Sequence, residues 1–197
     1  MQSKGISNSG MPYRADFRRI RHPRLELKTG SLVLVLPDGY KDPETLIKRH
    51  ERWVNGKREM IKELLKKSKI KRLGKALAED EMKLLMQNLV EKNSKEMGFK
   101  DFSLRFQKMS SKWASRGRSG IFTFNTMMAM LPKHLIKYVV FHECLHFFER
   151  KHNSFFWKLV SKKYGNYAEL EKELALYWFM SHRKRSNIQP HNEKGVY

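Results

Sequence analysis

The chain has 197 residues, which suits one domain, and 40% of them are hydrophobic, which is enough for a folded core. Lysine and arginine number 41 against 20 acidic residues, so the formal net charge at pH 7 is +21. A single cysteine, Cys144, excludes an intramolecular disulfide and fits a reducing compartment. No apolar run resembles a signal peptide or reaches about 18 residues, so we expect a cytoplasmic protein with no membrane span.

The positive charge is the strongest signal in the composition. A balance this basic favours contact with polyanions such as nucleic acid, or with an anionic membrane surface. Alternatively, the net charge of +21 belongs to a surface that only keeps the protein soluble. Nucleic acid is therefore one candidate partner.

The N-terminal part of the chain predicts strands. Residues 1–12 contain serine, glycine and asparagine and are expected to form a flexible start. Residues 14–27 alternate charged and apolar side chains, which predicts a strand interrupted near Pro23. Residues 31–36 are β-prone and follow a Thr-Gly turn, so we expect them to form a hairpin with the preceding strand.

Two helices are predicted next. An amphipathic pattern runs from Pro43 to about Lys69 and begins after Asp42, a suitable N-cap. Its basic face is a candidate phosphate-binding stripe, although a solvated helix face explains the pattern equally well. This face includes Arg58, Lys62, Lys66 and Lys69. A second helix is predicted over about residues 78–97 and ends at Gly98.

A basic loop that contains glycine separates two further predicted strands. Alternation of apolar residues predicts a strand over 102–106, and Ile-Phe-Thr-Phe-Asn at 121–125 predicts another. The loop, residues 112–120, offers candidates for substrate or anion contact. They are Trp113, Arg116 and Arg118.

The stretch from Pro132 to Trp157 carries the densest chemistry of the chain. Its apolar residues recur with helical spacing, and residues 142–146 read His-Glu-Cys-Leu-His, a match to the H-E-x-x-H zinc signature. Residues four apart lie on one helical face, so His142 and His146 can bind one metal ion. Glu143 can then take a proton from a water molecule that the ion activates. Two histidines satisfied by hydrogen bonds in the core are the alternative.

A catalytic zinc needs a third protein ligand and an open position for water. His152 lies six residues after His146, so it can join the site only if the helix ends before it. Asn153 is a good N-cap for a new helix, which predicts a helix, a turn that holds His152, and a second helix. Competing ligands are Glu169, Glu171 and Glu173 on a later helix. Cys144 points to another helix face and is predicted to be a small buried residue.

The C-terminal part predicts one more helix over residues 168–182, followed by a polar tail. The predicted organisation is a flexible N-terminus at 1–12, a single domain at 13–182 and a flexible tail at 183–197.

The residues from Tyr138 to Leu159 resemble the YgjP-like metallopeptidase domain, a family of metal-dependent hydrolases. The family pattern is H-E-x-x-H, five residues, a third histidine and then Phe-Trp. The matching residues are His142, Glu143, His146, His152, Phe156 and Trp157. The resemblance extends over roughly residues 14–180, with Ala114 and Arg116 where the family usually has Gly and Cys. The spacing of the third histidine is also similar to the SprT and WLM proteases, which cut proteins crosslinked to DNA.

The resemblance implies an α+β, zincin-like fold: a small, mostly antiparallel or mixed sheet packed on the H-E-x-x-H helix, with additional helices. Motif and resemblance together predict a zinc-dependent hydrolase, most simply a metallopeptidase with a peptide or protein substrate. His142, His146 and His152 are the expected ligands of Zn2+ or another divalent metal, and Glu143 is the expected general base. We also expect residues 121–125 to align an extended peptide by edge pairing.

Other functions stay open at this stage. One is hydrolysis of a phosphorylated or nucleotide substrate, with phosphate bound by the basic loop. Another is proteolysis near DNA. A third is non-catalytic binding of nucleic acid, with a structural zinc that has four protein ligands and no open position. Candidates for stabilising an oxyanion are Tyr138, Tyr164, Tyr167 and His134.

Overall fold

The computed structural model describes residues 2–6, 12–28, 31–70, 73–117 and 119–186. The chain forms two compact units, Met1–Lys71 and Arg72–Tyr197. Whether both units act as the single domain expected over 13–182 stays a prediction.

The first unit contains a four-stranded sheet in the order β1-β2-β4-β3. Its strands are β1 (Gln2–Ile6), β2 (Pro12–Arg18), β3 (Arg24–Lys28) and β4 (Ser31–Pro37). β3 and β4 form the predicted antiparallel hairpin, and the predicted interruption separates β2 from β3. β2 pairs with β4 in parallel, which the alternation did not indicate. β1 lies where a flexible start is expected, and it pairs antiparallel with β2.

Two helices complete the first unit: α1 (Pro43–Arg49) and α2 (Glu51–Ile70). The predicted cap is confirmed, since the Asp42 carboxylate accepts a hydrogen bond from the Thr45 N–H at 3.0 Å. The sequence predicts one continuous helix here, but the chain leaves helical geometry at His50. A single non-helical residue does not disturb the apolar periodicity, so the pattern could not reveal this break.

The second unit contains a three-stranded mixed sheet and four helices. The elements are α3 (Glu79–Met97), β5 (Ser103–Gln107), β6 (Ala114–Arg116), β7 (Ile121–Asn125), a 3-10 helix (Thr126–Met130), α4 (Lys133–Leu145), α5 (Ser154–Lys163) and α6 (Tyr167–Ser186). The strand order is β5-β7-β6, with β5 parallel and β6 antiparallel to β7. α3 ends at Gly98 as predicted, with a backbone φ of 75°.

The core of the second unit is built round α4, whose apolar residues are buried along most of the helix. It packs on β6 and α3 and contacts α5 and α6. One continuous apolar cluster joins α3, the sheet, α4, α5 and α6. The predicted α+β class, with a small mixed sheet on the motif helix, is therefore confirmed. His142 and Glu143 consequently stand on a helix that is buried along most of its length.

No helix in the described part of the chain is both long and apolar enough to cross a membrane. The basic helix face predicted over 43–69 falls on α2, where Lys62, Lys66 and Lys69 are exposed. Residues 187–197, which hold most of the predicted tail, lie outside the described residues.

Candidate active site

The end of α4 places the H-E-x-x-H motif at the edge of the core. The helix runs to Leu145, and His146 is its C-cap residue, so both motif histidines keep helical spacing. Their rings lie 5.2 Å apart between centroids. The chain then turns, and a new helix, α5, begins after its N-cap residue Asn153. The Asn153 side chain accepts a hydrogen bond from the Phe156 N–H at 3.0 Å. The predicted arrangement of helix, turn and helix is confirmed.

The turn brings His152 back to the two motif histidines. One ring nitrogen from each of His142, His146 and His152 lies within 4.8 Å of the others. The closest approach joins His142 Nε2 and His152 Nε2 at 2.8 Å. Three imidazoles with converging nitrogens form a group that can hold a metal ion.

Neighbouring groups orient the motif histidines. His146 Nδ1 lies 2.8 Å from the carbonyl oxygen of Glu149. Because a carbonyl only accepts hydrogen bonds, Nδ1 carries the proton and Nε2 keeps a free lone pair. His142 Nδ1 lies 3.9 Å from Oε1 of Glu171, which also accepts a hydrogen bond from the Tyr138 hydroxyl at 2.6 Å. A carboxylate that faces Nδ1 in this way favours a proton on that nitrogen, which leaves the lone pair of Nε2 for a metal ion.

The three imidazoles are held uncharged. Burial, together with the nearby His152 and His146, lowers the pKa of His142 to about 3. Burial also lowers the pKa values of His146 and His152. Neutral imidazole is the form that binds metal, so the group is ready to accept a cation at neutral pH.

Aromatic rings support the imidazoles from the side of α5. Phe156 stacks on His146 with centroids 4.9 Å apart, and Trp157 stacks on His152 at 5.7 Å. Tyr167 stacks in turn on Trp157 at 5.1 Å. The Phe-Trp pair that follows the third histidine therefore fixes ring orientation, which is its physical role in the pattern.

Glu143 lies beside the imidazoles with only 7% of its surface exposed. Burial raises the pKa of its carboxyl to about 7, against the opposing effects of the Arg116 backbone N–H and the Lys112 charge. A carboxyl with a pKa near 7 can both accept and return a proton at neutral pH.

Two cavities of about 390 Å³ each meet at this site and share Lys112, Ala114, Glu143 and His152. One, which we call the basic cavity, is also lined by Arg116, Arg150 and His146. The other, the aromatic cavity, is also lined by Trp113, Tyr138, Trp157, Leu174 and Glu171. Together they form a cleft that passes the three histidines on both sides.

The family model for the YgjP-like metallopeptidase domain matches residues 61–177, more than half of the chain. The chain belongs to the YgjP-like metallopeptidase family. The resemblance read from the sequence is thereby confirmed, but the matched span begins later than the expected residue 14. The chain is accordingly an enzyme of the metallopeptidase class.

Two solved structures are similar to this YgjP-like metallopeptidase. One is the metallopeptidase zymogen jannalysin of Methanocaldococcus jannaschii, 17% identical, with a TM-score of 0.41 over 45% of this chain and 92% of that chain. The other is the metallopeptidase zymogen abylysin of Pyrococcus abyssi, 21% identical, with a TM-score of 0.39 over 53% of this chain and 95% of that chain. A search of curated proteins finds no match.

The predicted contact residues of this YgjP-like metallopeptidase have different surroundings. Trp113 lines the aromatic cavity while its indole N–H donates to the Leu174 carbonyl at 3.3 Å, so it combines a structural role with exposure to the cleft. The Arg116 guanidinium lies 3.7 Å from the Phe147 ring centroid and donates to the His146 carbonyl at 2.9 Å. Arg118 lies outside the described residues.

The competing ligands do not join the histidine group. Glu171 accepts from Tyr138, and Glu173 lies 2.8 Å from His134 Nε2. Glu169 and Cys144 are also absent from the group, within the part of the chain that the structure describes. Cys144 is buried as predicted.

Among the oxyanion candidates, Tyr138 is fully buried with its hydroxyl bonded to Glu171, and Tyr167 stacks on Trp157. His134 is paired with Glu173, and the Tyr164 ring packs edge-on against Tyr138 at 5.3 Å. Of these four, only Tyr138 lines the cleft.

The strand beside the cleft is not the one predicted. β7 lies in the middle of the sheet with a strand on each side, so its residues 121–125 cannot pair with a peptide. β5 and β6 are the two edge strands of this sheet, and β6 is the one beside the cleft, because its Ala114 lines both cavities. A short strand inside a glycine-containing loop gave no alternation to detect, which is why the sequence pointed to its neighbour.

Asn125 is a positioning residue that the sequence reasoning missed. It is fully buried, and its side-chain amide donates to the carbonyls of Met109 and Lys112, each at 2.8 Å. Its side-chain oxygen accepts from the Met127 N–H at 3.1 Å. Asn125 thus ties the start of the β6 segment to β7. The only available signal was a polar residue at the end of an apolar strand.

Proposed function

We propose that the chain is a zinc-dependent peptidase in which His142, His146 and His152 hold the metal and Glu143 transfers the proton. The observation that supports this proposal is the convergence of three uncharged imidazoles beside a buried carboxyl, inside a cleft. Membership of the metallopeptidase family supplies the reaction class.

The donor set fits zinc. Two nitrogens bound to one tetrahedral zinc at 2.0–2.1 Å lie roughly 3.3–3.4 Å apart. Here the shortest separation is 2.8 Å and all three ligand atoms lie within 4.8 Å of one another, so the three nitrogens are close enough together to surround one ion. In the described residues the group contains no fourth ligand, which favours a site with an open position over a closed structural site. Imidazole also suits other divalent metals.

A divalent metal held by these residues would polarise the scissile carbonyl and make a water molecule acidic at neutral pH. Glu143 would take the proton from that water and deliver it to the leaving amine. Its raised pKa matches this double task, because the proton is neither held too tightly nor released too readily. Burial of Glu143 keeps bulk water away from the transfer.

The backbone of β6 provides a place for an extended peptide. Hydrogen bonds join the Gly117 N–H to the Ile121 carbonyl, and the Asn125 N–H to the Trp113 carbonyl, each at 2.8 Å. Antiparallel pairing alternates, so the backbone groups of Ala114 and Arg116 point away from β7. The Arg116 N–H donates to the Glu143 carboxylate, so the outward groups left for a peptide are the Arg116 carbonyl and the backbone of Ala114, which lines the cleft. A peptide added at this edge would pass between the two cavities.

Metal analysis and peptide cleavage test the proposal together. Purified protein should hold one zinc or another divalent ion, and a mixed peptide library should be cleaved. Glu143→Gln should keep the ion and lose cleavage, while Glu96→Gln, an exposed change in the same unit, should keep both. Undiminished cleavage by Glu143→Gln would remove Glu143 from the proton-transfer role.

The charge of +21 supports one refinement, in which the peptidase works near DNA. The exposed lysines of α2 are the described residues that would make such contact. Cleavage rates with and without single-stranded DNA decide this refinement, and an unchanged rate dismisses it. Hydrolysis of a phosphorylated or nucleotide substrate is the other alternative, favoured by the cations of the basic cavity. Profiling phosphate esters beside peptides separates the two reactions.

A further inference from the structure

We infer that the basic cavity binds a carboxylate of the substrate, so that the enzyme prefers peptides with an acidic residue on one side of the scissile bond. This inference rests on the proposed peptidase function and adds a substrate class to it. The carboxylate can belong to an Asp or Glu side chain or to a peptide C-terminus.

The cations that line the basic cavity carry the inference. Lys112, Arg116 and Arg150 all border it, and among the described residues of its lining the only carboxylate is Glu143. Among the described residues, the salt bridges all involve other cations, and Lys112 acts on Glu143 only through its charge. Arg116 and Arg150 lie close enough for their like charges to repel. A bound carboxylate would relieve that repulsion.

The Arg116 side chain is held in place before any substrate arrives. Its guanidinium lies against the Phe147 ring and donates to the His146 carbonyl, so it keeps one position beside the histidine group. A planar guanidinium with further N–H groups can bind a carboxylate with two parallel hydrogen bonds. Holding it in place in advance reduces the entropy that binding costs.

The opposite side of the cleft has a different character. The aromatic cavity is lined by Trp113, Tyr138, Trp157 and Leu174, with Glu171 as its own acidic residue, and it shares Lys112 with the basic cavity but not Arg116 or Arg150. Glu171 would repel an anion there, and the rings favour an apolar side chain. The two cavities lie on either side of shared Glu143 and His152, so the preference is directional: an acidic residue on one side of the cleaved bond and an apolar residue on the other.

The test compares peptides that differ by a single charge. Glu and Gln are placed in turn at each position near the cleaved bond of a library peptide with blocked ends. At one position, Glu should give a kcat/KM about fivefold to tenfold higher than Gln, because the pairing is partly shielded from water. Salt should reduce this ratio. Matched peptides with a free or an amidated C-terminus show whether a terminal carboxylate is favoured as well.

Variants identify the cavity responsible. Arg150→Gln should reduce the Glu-to-Gln ratio and Arg150→Glu should invert it, while Lys158→Gln, an exposed change outside both cavities, should leave it unchanged. Arg150 is exposed, so these variants should fold normally. The inference is overturned if the Glu-to-Gln ratio of kcat/KM is one at every position, or if Arg150→Glu leaves that ratio unchanged. Cleavage of the peptides in either case still supports the proposed peptidase function.

Binding separates this inference from the proposed function. Fluorescence anisotropy of labelled Glu and Gln peptides on the Glu143→Gln protein needs no turnover. Tighter binding of the Glu peptide, lost in the double variant with Arg150→Glu, supports the basic cavity even if no peptide is cleaved. Equal binding of both peptides overturns it. Absence of cleavage by the metal-loaded wild type counts against the proposed function alone.

Discussion

Replacement of Glu143 by glutamine should inactivate the enzyme and, at the same time, stabilise the metal-free protein. Burial raises the pKa of this carboxyl from 4.5 to about 7, so ionising it in the folded state is costly. A shift of one pKa unit corresponds to about 1.4 kcal/mol. At pH 8 the ionised Glu143 therefore lowers the unfolding free energy of the wild type by about 3 kcal/mol, and a neutral glutamine avoids this loss. Loss of the proton acceptor should reduce turnover about 10²–10⁴-fold.

The sign of the pH dependence follows from the two states. Between pH 4.5 and about 7 the unfolded chain has released the Glu143 proton while the folded protein keeps it, so wild-type stability falls as pH rises. At pH 5 the advantage of Glu143→Gln should be below about 1 kcal/mol. The lowered pKa values of the three histidines act in the opposite direction, with stability lost below pH 6.5. Both proteins contain these histidines, so the difference between them reports Glu143.

Urea unfolding of both proteins, stripped of metal by a chelator, measures the effect at pH 5, 6.5 and 8. Glu96→Gln is the matched control, because Lys163 lowers the pKa of Glu96 and its replacement should bring no gain at pH 8. Equal stability of wild type and Glu143→Gln at pH 8, or an advantage that does not change with pH, would refute the claim that Glu143 is ionised at a cost in the folded protein.

Three further predictions concern the metal and its scaffold. His152→Ala should lose its bound zinc, as measured by elemental analysis. His22 is exposed and serves as the control, so His22→Ala should keep the metal. An unchanged ratio of zinc to protein in His152→Ala would exclude His152 as a ligand. Asn125→Ala removes the partner of the buried Met109 carbonyl, of the part-buried Lys112 carbonyl and of the Met127 N–H. A buried polar group without a partner costs about 1–3 kcal/mol, so the urea midpoint and kcat/KM should both fall, and an unchanged kcat/KM would contradict the positioning role of Asn125. Gly120→Ala should lower Tm, because the added Cβ would lie 2.7 Å from the Asp101 carbonyl oxygen and the backbone φ is +76°. Gly165→Ala is the control and should leave Tm unchanged, because its Cβ would have no atom within 4 Å. Equal Tm values for the two variants would show that the turn at Gly120 relaxes.

The candidate site could be read from the sequence because its signals are local. His142, Glu143 and His146 occupy one helical turn and a half, so helical periodicity alone puts them together. His152 required one more local inference, that Asn153 caps a new helix, and the structure has that cap. Helices α3 to α6 were predictable for the same reason, since apolar spacing and capping residues are properties of neighbouring positions.

The remaining features of the fold and of the site could not be predicted from the sequence, because they depend on pairing between distant segments. β2 pairs in parallel with β4, which no local pattern indicates. β6 has only three residues, too few to show an alternation, so β7 and not β6 was assigned to the cleft. The roles of Asn125 and Glu171 likewise arise from partners far along the chain.

The sequence by itself determined the metal-binding pattern, the class of enzyme and the elements that carry them, because each rests on residues within a few turns of one another. Tertiary structure decided which strand borders the cleft, and it brought Arg116 and Arg150 to one side of the histidines and Lys112 to both cavities. It also decided the protonation of the site, since desolvation by the packed core sets the pKa of Glu143, and no local pattern encodes that burial.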